Sequence, residues 1–386
     1  MSEHPYSEPV RSALAEECLA ATLLAHCRWM DEATAPTAID TDIHPDCQML
    51  GHSLRAHGDV NRAVSQYFSV AMQQYQVVRQ LIERLFDAPT EIDFLDFACG
   101  FGRLLRFLVH SLPREHLYAS EIQADALAWV GERYGVHTLP SGPDPADFAP
   151  GRHFDMIWVA SLFSHLPDAL FRSWLERLAK SLSPGGVLCF SVHDEALLPP
   201  DMAVGDNGML YIAGSENDGL DPAIYGTTFV TADYVKSVIT ETIGEHARVR
   251  RLRRLLAHEQ DVYVVTGVHG PDLSPLAEFR CGTRGWLDEL EVDQAAGTLW
   301  LKGWAGSLDE IGLAHVEVRL NDRVIQQEAS EPTPRVAEVL GRPELARSGF
   351  SLSLPLPPGT DPWLALSAVA EDGERALIYA GRISTA

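Results

Sequence analysis

Two carboxylates, Asp96 and Glu121, and two glycines, Gly100 and Gly102, have residue types and a spacing that suit a binding site for a small cationic ligand. Asp96 lies in an apolar run, and Gly100 and Gly102 follow it in Phe-Leu-Asp-Phe-Ala-Cys-Gly-Phe-Gly-Arg. Glycines in such a turn let backbone N–H groups approach a ligand without an obstructing Cβ. A preceding carboxylate would repel a pyrophosphate but attract an ammonium group, and the third glycine of the dinucleotide-binding motif is missing. The turn predicts a ligand site, with a plain strand–turn–helix corner as the alternative.

A second carboxylate, Glu121, follows the glycine turn by about 20 residues, a spacing known from ribose-binding acids. It ends the next apolar run, where its oxygens can accept both hydroxyls of a ribose. The alternative is a solvated acid that begins a helix and interacts favourably with the helix dipole.

Two histidines are candidate general bases, because an unperturbed imidazole has a pKa of ~6.5. His165 lies in Leu-Phe-Ser-His-Leu-Pro, and its alternative role is to cap or pack that turn. His193 precedes Asp194 at the end of a predicted strand, but adjacent strand residues point apart, so no dyad is predicted. Tyr225 is a candidate for the acceptor pocket. No cluster of side chains has metal-ligand spacing, so no metal site is expected.

The elements that position these residues alternate between strand and helix. Apolar runs predict strands at 92–97, 116–120, 135–139, 154–160 and 186–192. Helical periodicity is found at 10–30, 60–86, 102–112, 122–133, 168–182 and 231–243, and two further strands are predicted at 247–256 and 261–268. This order is typical of an α/β fold with a parallel sheet and helices on both faces.

Beyond a Pro- and Gly-containing seam the periodicity changes to that of strands, which predicts an all-β sandwich with a hairpin turn at Asn321-Asp322. The predicted domains are an N-terminal helical extension, an α/β domain, a linker and the sandwich, at 1–59, 60–268, 269–284 and 285–386. We expect the sandwich to serve in packing, oligomerisation or glycan contact.

The glycine turn resembles the first motif of class I S-adenosylmethionine (SAM)-dependent methyltransferases, an acidic residue followed by three small residues at alternate positions. Ala98 replaces the usual first glycine. The Phe154-Asp155 strand and the Pro184-Gly185-Gly186 turn are similar to later parts of the family pattern. The resemblance implies a Rossmann-like sheet of about seven strands that ends in an antiparallel hairpin, and SAM as the cofactor. The cofactor contacts that it implies are Asp96, Ala98, Cys99, Gly100, Gly102, Glu121, Ile122, Ala160 and Ser161.

Composition limits the partners. The formal net charge of −24 over 386 residues argues against nucleic acid, and no apolar run is long enough to span a membrane. Alternation along the strand is expected to place some of the five arginines at 248–254 on one solvated face. In the loop at 141–150, one of Asp144 and Asp147 is left either as an adenine contact or as a solvated acid. The six cysteines form no Cys-x-x-Cys pair, so a cytoplasmic protein is expected.

The motifs of this chain are similar to those of bacterial methyltransferases often associated with glycan and surface-polysaccharide pathways. We therefore predict a methyltransferase that acts on a hydroxyl of a sugar or glycan intermediate, with His193 or His165 as base. Expected partners are a small-molecule or glycan acceptor and, in a homo-oligomer, a second copy of the chain. The alternatives are a methyltransferase for natural products and a non-catalytic SAM-binding protein.

Overall fold

The computed structural model describes residues 6–214, 221–357 and 361–384. It contains two compact units, a central unit (Gln74–Phe279) and a terminal unit that combines Met1–Gln73 with Arg280–Ala386. Parts of the predicted domains lie outside the described residues, namely 1–5, 215–220, 358–360 and 385–386. The predicted division differs in that it separates the N-terminal extension from the sandwich, and its boundaries remain a proposal.

The helices and strands of the described residues are numbered in chain order. The helices are α1 (Glu8–Leu14), α2 (Glu17–His26), α3 (Gln48–His57), α4 (Val60–Leu85), α5 (Leu105–Leu108), α6 (Ala124–Tyr134), α7 (Asp168–Lys180), α8 (Ala232–Ile243) and α9 (Pro334–Leu340). The strands of the central unit are β1 (Phe94–Phe97), β2 (Leu117–Glu121), β3 (His137–Pro140), β4 (Phe154–Val159), β5 (Leu182–Asp194), β6 (Met209–Ile212), β7 (Thr227–Val230), β8 (Arg248–Leu256) and β9 (Gln260–Thr266). Those of the terminal unit are β10 (Thr283–Asp293), β11 (Thr298–Ser307), β12 (Leu313–Leu320), β13 (Arg323–Gln327), β14 (Gly349–Pro355), β15 (Trp363–Ala370) and β16 (Arg375–Arg382).

The central unit is built on a mostly parallel sheet, which confirms the predicted α/β fold. Parallel strands follow the order β3-β2-β1-β4-β5, and β9 and β8 then continue the sheet as an antiparallel hairpin. This path has the seven strands that the family resemblance implies. Parallel strands bring their carboxyl ends to one edge, so β1, β2, β4 and β5 present their final residues together.

Strand β5 changes partners near its end, and this change shapes the site. Its residues up to Val192 pair with β9, whereas His193 and Asp194 pair in parallel with β7. Strand β7 in turn pairs with β6 in an antiparallel hairpin that the sequence analysis did not predict. The last residues of β5 therefore lie where the sheet forks.

A continuous apolar core fixes the helices on this sheet. The buried side chains of α7 are Phe171, Trp174, Leu175 and Leu178, which recur at helical spacing and so form one face. Full burial of such a side chain contributes about 1.5–3 kcal/mol. Helix α8 begins as predicted, because the Thr231 side chain accepts a hydrogen bond from the Tyr234 N–H.

Several predicted helices have different extents in the structure. The helix expected at 10–30 is divided into α1 and α2, and the one expected at 102–112 is reduced to α5, because the glycine turn occupies its first residues. Residues 33–60 contain Pro36, Pro45, Gly51 and Gly58, which predict irregular structure, but helix α3 lies in this segment. Gly58 ends α3 in the left-handed conformation at φ 62° and does not disrupt it.

The terminal unit contains two antiparallel sheets, β10-β11-β14 and β13-β12-β15-β16. Buried residues from both sheets form one core cluster, which includes Leu301 and Leu366. A two-residue turn at Asn321 and Asp322 joins β12 to β13, as predicted. Within the same unit, the N-terminal His26 ring lies 2.7 Å from the Ser367 hydroxyl, so α2 is hydrogen-bonded to β15. A sandwich over 285–386 remains a proposal.

Among the described residues, no helix combines the length and the apolar character needed to cross a bilayer.

Candidate functional site

The turn after β1 alternates through left-handed backbone conformations. Ala98, Gly100 and Gly102 have φ values of 57°, 55° and 76°. A non-glycine residue such as Ala98 pays about 1–2 kcal/mol for this conformation, and such strain concentrates at functional sites. The Cys99 N–H donates to the Ser120 carbonyl at 3.1 Å, which holds the turn against the end of β2.

The two glycines of the turn serve different purposes. A Cβ added to Gly100 would have no atom within 4 Å, so this position opens onto free space. A Cβ on Gly102 would lie 2.6 Å from the Tyr134 ring, so Gly102 is required for the close packing of α6. The sequence suggests that both glycines allow a ligand to approach the backbone. In the structure, this reason applies only to Gly100.

The Glu121 carboxylate is hydrogen-bonded to this turn and to the residues that follow β2. Its Oε2 accepts a hydrogen bond from the Gly100 N–H at 2.8 Å, and its Oε1 accepts from the N–H groups of Ile122 and Gln123 at 2.8 and 3.1 Å. Burial raises the pKa of Glu121, while these three N–H donors oppose the rise. A carboxylate has about four acceptor positions, so Glu121 can accept one further hydrogen bond without loss of a backbone contact.

Asp96 lies close to Glu121 at the end of β1 and is 4% exposed. Burial, and then the Glu121 charge, raise the pKa of Asp96 to about 8, and the charge of Arg103 opposes the rise. Burial and the charges of these two carboxylates also raise the pKa of the Cys99 thiol well above its usual range. Two acidic groups in one buried corner are unfavourable by themselves, so a cationic ligand group would be stabilised there.

The end of β4 lies at the same edge of the sheet. Ala160 follows the strand, and Ser161 adopts a left-handed conformation at φ 58°. The Ser161 N–H donates to the Ser191 hydroxyl on β5 at 2.8 Å, which fixes the loop to the neighbouring strand. After β2, the Ile122 side chain is 39% exposed and offers apolar surface next to Glu121.

His165 is held by the segment that leads into β7. Its Nδ1 lies 2.6 Å from the Gly226 carbonyl oxygen, and its own carbonyl accepts from the Gly226 N–H at 2.8 Å. A carbonyl oxygen only accepts, so Nδ1 carries the proton and the neutral ring has its lone pair on Nε2. The Tyr225 ring stacks on the imidazole, with centroids 4.6 Å apart and an interplanar angle of 14°.

His193 lies 6.2 Å from His165 between ring centroids, with the planes at 77°. Its Nε2 is 3.2 Å from the Gln260 side-chain nitrogen. Asp194 instead pairs with Arg251 and accepts a hydrogen bond from the Ala196 N–H at 3.2 Å. The Asp194 carboxylate is therefore paired with an arginine of β8.

Two residues at the edge of the sheet were missed or misjudged. Gln260 is 2% exposed and links β9 to β5, although nothing in its immediate sequence marks it. Arg251 is one of the five arginines of which some were expected on a solvated face, but it bridges Asp194 and Asp261, and Asp261 is 1% exposed. Arg251 is therefore not one of the solvated arginines, because its guanidinium lies between two carboxylates.

The loop after β3 begins beside Glu121, where the Ser141 N–H donates to the Glu121 carbonyl at 3.1 Å. Asp144 accepts a hydrogen bond from the Ala146 N–H at 2.9 Å and thereby caps its own loop. A cleft of about 640 Å³ lies between this loop and α7, and its walls include Asp144, Leu170 and Arg177. The lining residues do not include Asp96 or Glu121, so we do not assign the cleft to the cofactor.

Comparisons with known proteins match the part of the chain that carries this site. A family model described as "Methyltransferase domain" matches residues 95–188. The malonyl-[acyl-carrier protein] O-methyltransferase of Haemophilus ducreyi is 28% identical over 137 residues, which cover 33% of this chain and 52% of that protein. The chain thus spans about half the length of this curated relative.

Solved structures with similar folds include an S-adenosylmethionine-dependent methyltransferase from Clostridium acetobutylicum, at 13% identity and a TM-score of 0.37, with 56% of this chain and 96% of that chain covered. Another is Streptomyces venezuelae DesVI, at 20% identity and a TM-score of 0.39, with coverages of 59% and 99%. The family match falls on β1, the glycine turn and Glu121. Residues 95–188, which carry most of the candidate site, are therefore similar to the family described as "Methyltransferase domain".

Proposed function

We propose that this protein transfers the methyl group of SAM to a hydroxyl of a sugar or glycan intermediate in the cytoplasm. The observation that carries the proposal is the pair of buried carboxylates around the open Gly100 turn, within the segment that matches the methyltransferase model. A cofactor with an ammonium group at one end and a ribose near its centre has complementary chemistry for this pair.

The residues of the turn would hold SAM by its two polar parts. Asp96 would bind the ammonium group, and a cation there offsets the burial that raises the pKa of this carboxyl. Glu121 has one acceptor position left for a ribose hydroxyl, while its Gly100 contact keeps the turn open. The exposed Ile122 side chain would pack on the adenine, and Ala98, Cys99, Gly102, Ala160 and Ser161 would complete the site.

When bound, SAM supplies an electrophilic methyl group on its sulfonium, so the protein has to align the acceptor and exclude water. A hydroxyl acceptor also needs a group that takes its proton. His165 and His193 are the candidates for this task, and the Gly226 carbonyl accepts a hydrogen bond from Nδ1–H of His165, which fixes the orientation of that ring. The stacked Tyr225 ring keeps the imidazole in this orientation.

Several features support an oxygen acceptor of the sugar class. A general base is needed for a hydroxyl, and the curated relative is named as an O-methyltransferase. The motif around His165 is similar to that of methyltransferases from glycan pathways. The formal charge of −24 disfavours polyanionic acceptors such as nucleic acid. The absence of disulfides among the six cysteines, all of which are described, is consistent with the cytoplasm.

The binding half of the proposal is tested by calorimetric titration of the full chain with SAM and S-adenosylhomocysteine. We expect one site per chain for the wild type and strongly reduced affinity for Asp96→Asn. The matched control is Asp155→Asn, because Asp155 is hydrogen-bonded to Ser183 at the other end of β4. Equal affinities for all three proteins would refute the assignment of Asp96.

The transfer half is tested with SAM labelled in its methyl group and a panel of sugar nucleotides, oligosaccharides, phenols and amines. Label in a carbohydrate oxygen supports the proposal. Label only in phenols or amines refutes the glycan assignment and supports a natural-product methyltransferase. Tight SAM binding without transfer to any class of acceptor identifies a non-catalytic SAM-binding protein and refutes the activity.

A further inference from the structure

The outer face of the β10-β11-β14 sheet carries an exposed tryptophan among polar side chains. Leu299, Leu301 and Ala305 of β11 belong to the core cluster, so the side chains that alternate with them point away from the core. Directly opposite residues of antiparallel strands share a face of the sheet. The register therefore assigns one set of residues to this surface, here called the tryptophan face, namely Glu289, Glu291, Trp300, Lys302 and Ser353.

Trp300 lies on the middle strand of this sheet and is 37% exposed. Its Nε1–H donates to Glu289 Oε2 at 3.4 Å, and the Lys302 ammonium donates to Oε1 of the same carboxylate at 2.8 Å. The contact with Lys302, and then the contact with Trp300, lower the pKa of Glu289. One charged carboxylate thus fixes the edge of the indole. A ring that is ordered before binding loses less entropy when a ligand stacks on it.

The residues around Trp300 on the tryptophan face are all polar. Glu291 lies opposite Trp300 on β10, and Ser353 lies opposite it on β14. Thr298 and Lys302 flank it along β11. A protein-binding surface has an apolar centre that is depleted in charged residues, whereas this ring is surrounded by charges and hydroxyls. The carboxylates of β10 also disfavour an anionic membrane surface and a nucleic acid.

A sugar ring has the chemistry that matches this surface. Its C–H groups form an apolar face that can stack on the electron-rich face of an indole. Its hydroxyls donate to carboxylates and accept from ammonium groups and other hydroxyls. Trp300 offers the stacking surface, and Glu291, Lys302 and Ser353 offer the donors and acceptors around it.

Two further tryptophans extend the same face. Trp286 and Trp304 lie directly opposite each other on β10 and β11. Trp286 is 39% exposed, and its ring centroid is 5.4 Å from that of His57 in the same unit. Trp304 follows Trp300 by four residues, which corresponds to about 13 Å along the strand. This separation exceeds the width of one sugar ring, so the face suits a chain of several sugar units.

We propose that the tryptophan face is a binding site for a neutral oligosaccharide, with one sugar unit stacked on Trp300 and the chain extending towards Trp286. The carboxylates of the face disfavour an acidic glycan. The face shares no residue with the proposed methyl-transfer site, so this inference goes beyond the proposed function and does not rest on it.

The test is calorimetric titration of the full chain, without SAM, with neutral oligosaccharides of glucose, galactose and mannose that have one to six units. Oligogalacturonate is the acidic probe. We expect the affinity for a neutral series to rise with chain length. Trp300→Ala should weaken this binding by about tenfold, and Trp300→Phe, which keeps a ring but loses the indole N–H, should lie between. Val324→Ala is the matched control, because Val324 is 43% exposed on β13 in the other sheet.

The outcomes distinguish the possible occupants of the face. No binding of any neutral oligosaccharide, equal affinity in Trp300→Ala and the wild type, or binding of oligogalacturonate alone would overturn the inference. A chain that binds no sugar but loses self-association in Trp300→Ala, measured by sedimentation, would identify a contact between copies and would also refute it. Absence of methyl transfer by the wild type refutes the proposed function and leaves this test valid, because sugar binding is measured without SAM.

Discussion

Replacement of Asp96 by asparagine should stabilise the free protein while it weakens cofactor binding. The carboxyl is almost fully buried beside Glu121, and its pKa rises from 3.8 to about 8. The folded protein therefore binds a proton at Asp96 more tightly than the unfolded chain does. The contribution of this proton binding to the free energy of unfolding is fully present below pH 3.8 and is lost as the pH rises towards 8. Asparagine is neutral throughout, so Asp96→Asn avoids that loss.

The size of this stability gain follows from a pH range. Over that range the Asp96 carboxyl is ionised in the unfolded chain but still protonated in the folded protein. Between pH 3.8 and pH 7 this interval is about three pH units, and each unit corresponds to 1.36 kcal/mol. The upper bound at pH 7 is therefore about 4 kcal/mol, and we expect a gain of about 2–4 kcal/mol for Asp96→Asn. The gain should be close to zero at pH 4. Loss of the ammonium contact should weaken SAM binding by about 2 kcal/mol, or about 30-fold.

The assay is urea denaturation of both proteins at pH 4, 5.5 and 7 without ligand, together with calorimetric titration of SAM at pH 7. Asp155→Asn is the control, because Asp155 accepts hydrogen bonds from the Asp93 N–H and the Ser183 hydroxyl and its removal should not stabilise the fold. An Asp96→Asn protein that is no more stable than the wild type at pH 7 would refute the reasoning. A gain of equal size at all three pH values would also contradict it.

Four further substitutions test other parts of the site. His165→Asn keeps an N–H donor near the Gly226 carbonyl but removes the basic imidazole nitrogen, so labelled-methyl transfer should fall by about 10²–10⁴-fold. The SAM affinity measured by calorimetry should be retained, and a loss of affinity alone would indicate a structural role. Gly102→Ala places a Cβ 2.6 Å from the Tyr134 ring at a left-handed residue, so urea denaturation should show a loss of about 2–4 kcal/mol in the free energy of unfolding. Gly100→Ala has open space around the added Cβ and should lose only about 1–2 kcal/mol. Arg251→Met leaves Asp194 and Asp261 without their shared cation and should cost about 3 kcal/mol in the same assay, and an unaltered midpoint would show that the pairing contributes nothing.

Features with local causes could be predicted from the sequence. The apolar runs of β1, β2 and β4 and the Thr231 cap of α8 depend on neighbouring residues, and the structure confirms them. The failure at α3 has a local cause as well. Gly58 was counted as a sign of irregular structure, although a glycine in the left-handed conformation is also the common way to end a helix.

The polar network at the forked end of the sheet could not be predicted, because its partners are distant in sequence. Gln260 and His193 are 67 residues apart, and Arg251 and Asp194 are 57 apart. Such pairs meet only when the hairpin β8–β9 folds back on β5, and no local pattern encodes that register. The candidate cofactor positions come from motifs that can be recognised in the sequence and remain a proposal, whereas the hydrogen bonds of His165 and His193 involve residues that are distant in sequence.

The exchange of partners along β5 has a consequence for how new acceptor preferences arise. Strand β9 supports β5 as far as Val192, and only the two residues beyond it depend on β7. Chain inserted between Asp194 and Thr227 can therefore be shortened, lengthened or recombined without disturbing the ladder that carries Asp96 and Glu121. A chimaera that exchanges this segment between relatives should keep its affinity for the methyl donor while it acquires the acceptor range of the sequence that was grafted.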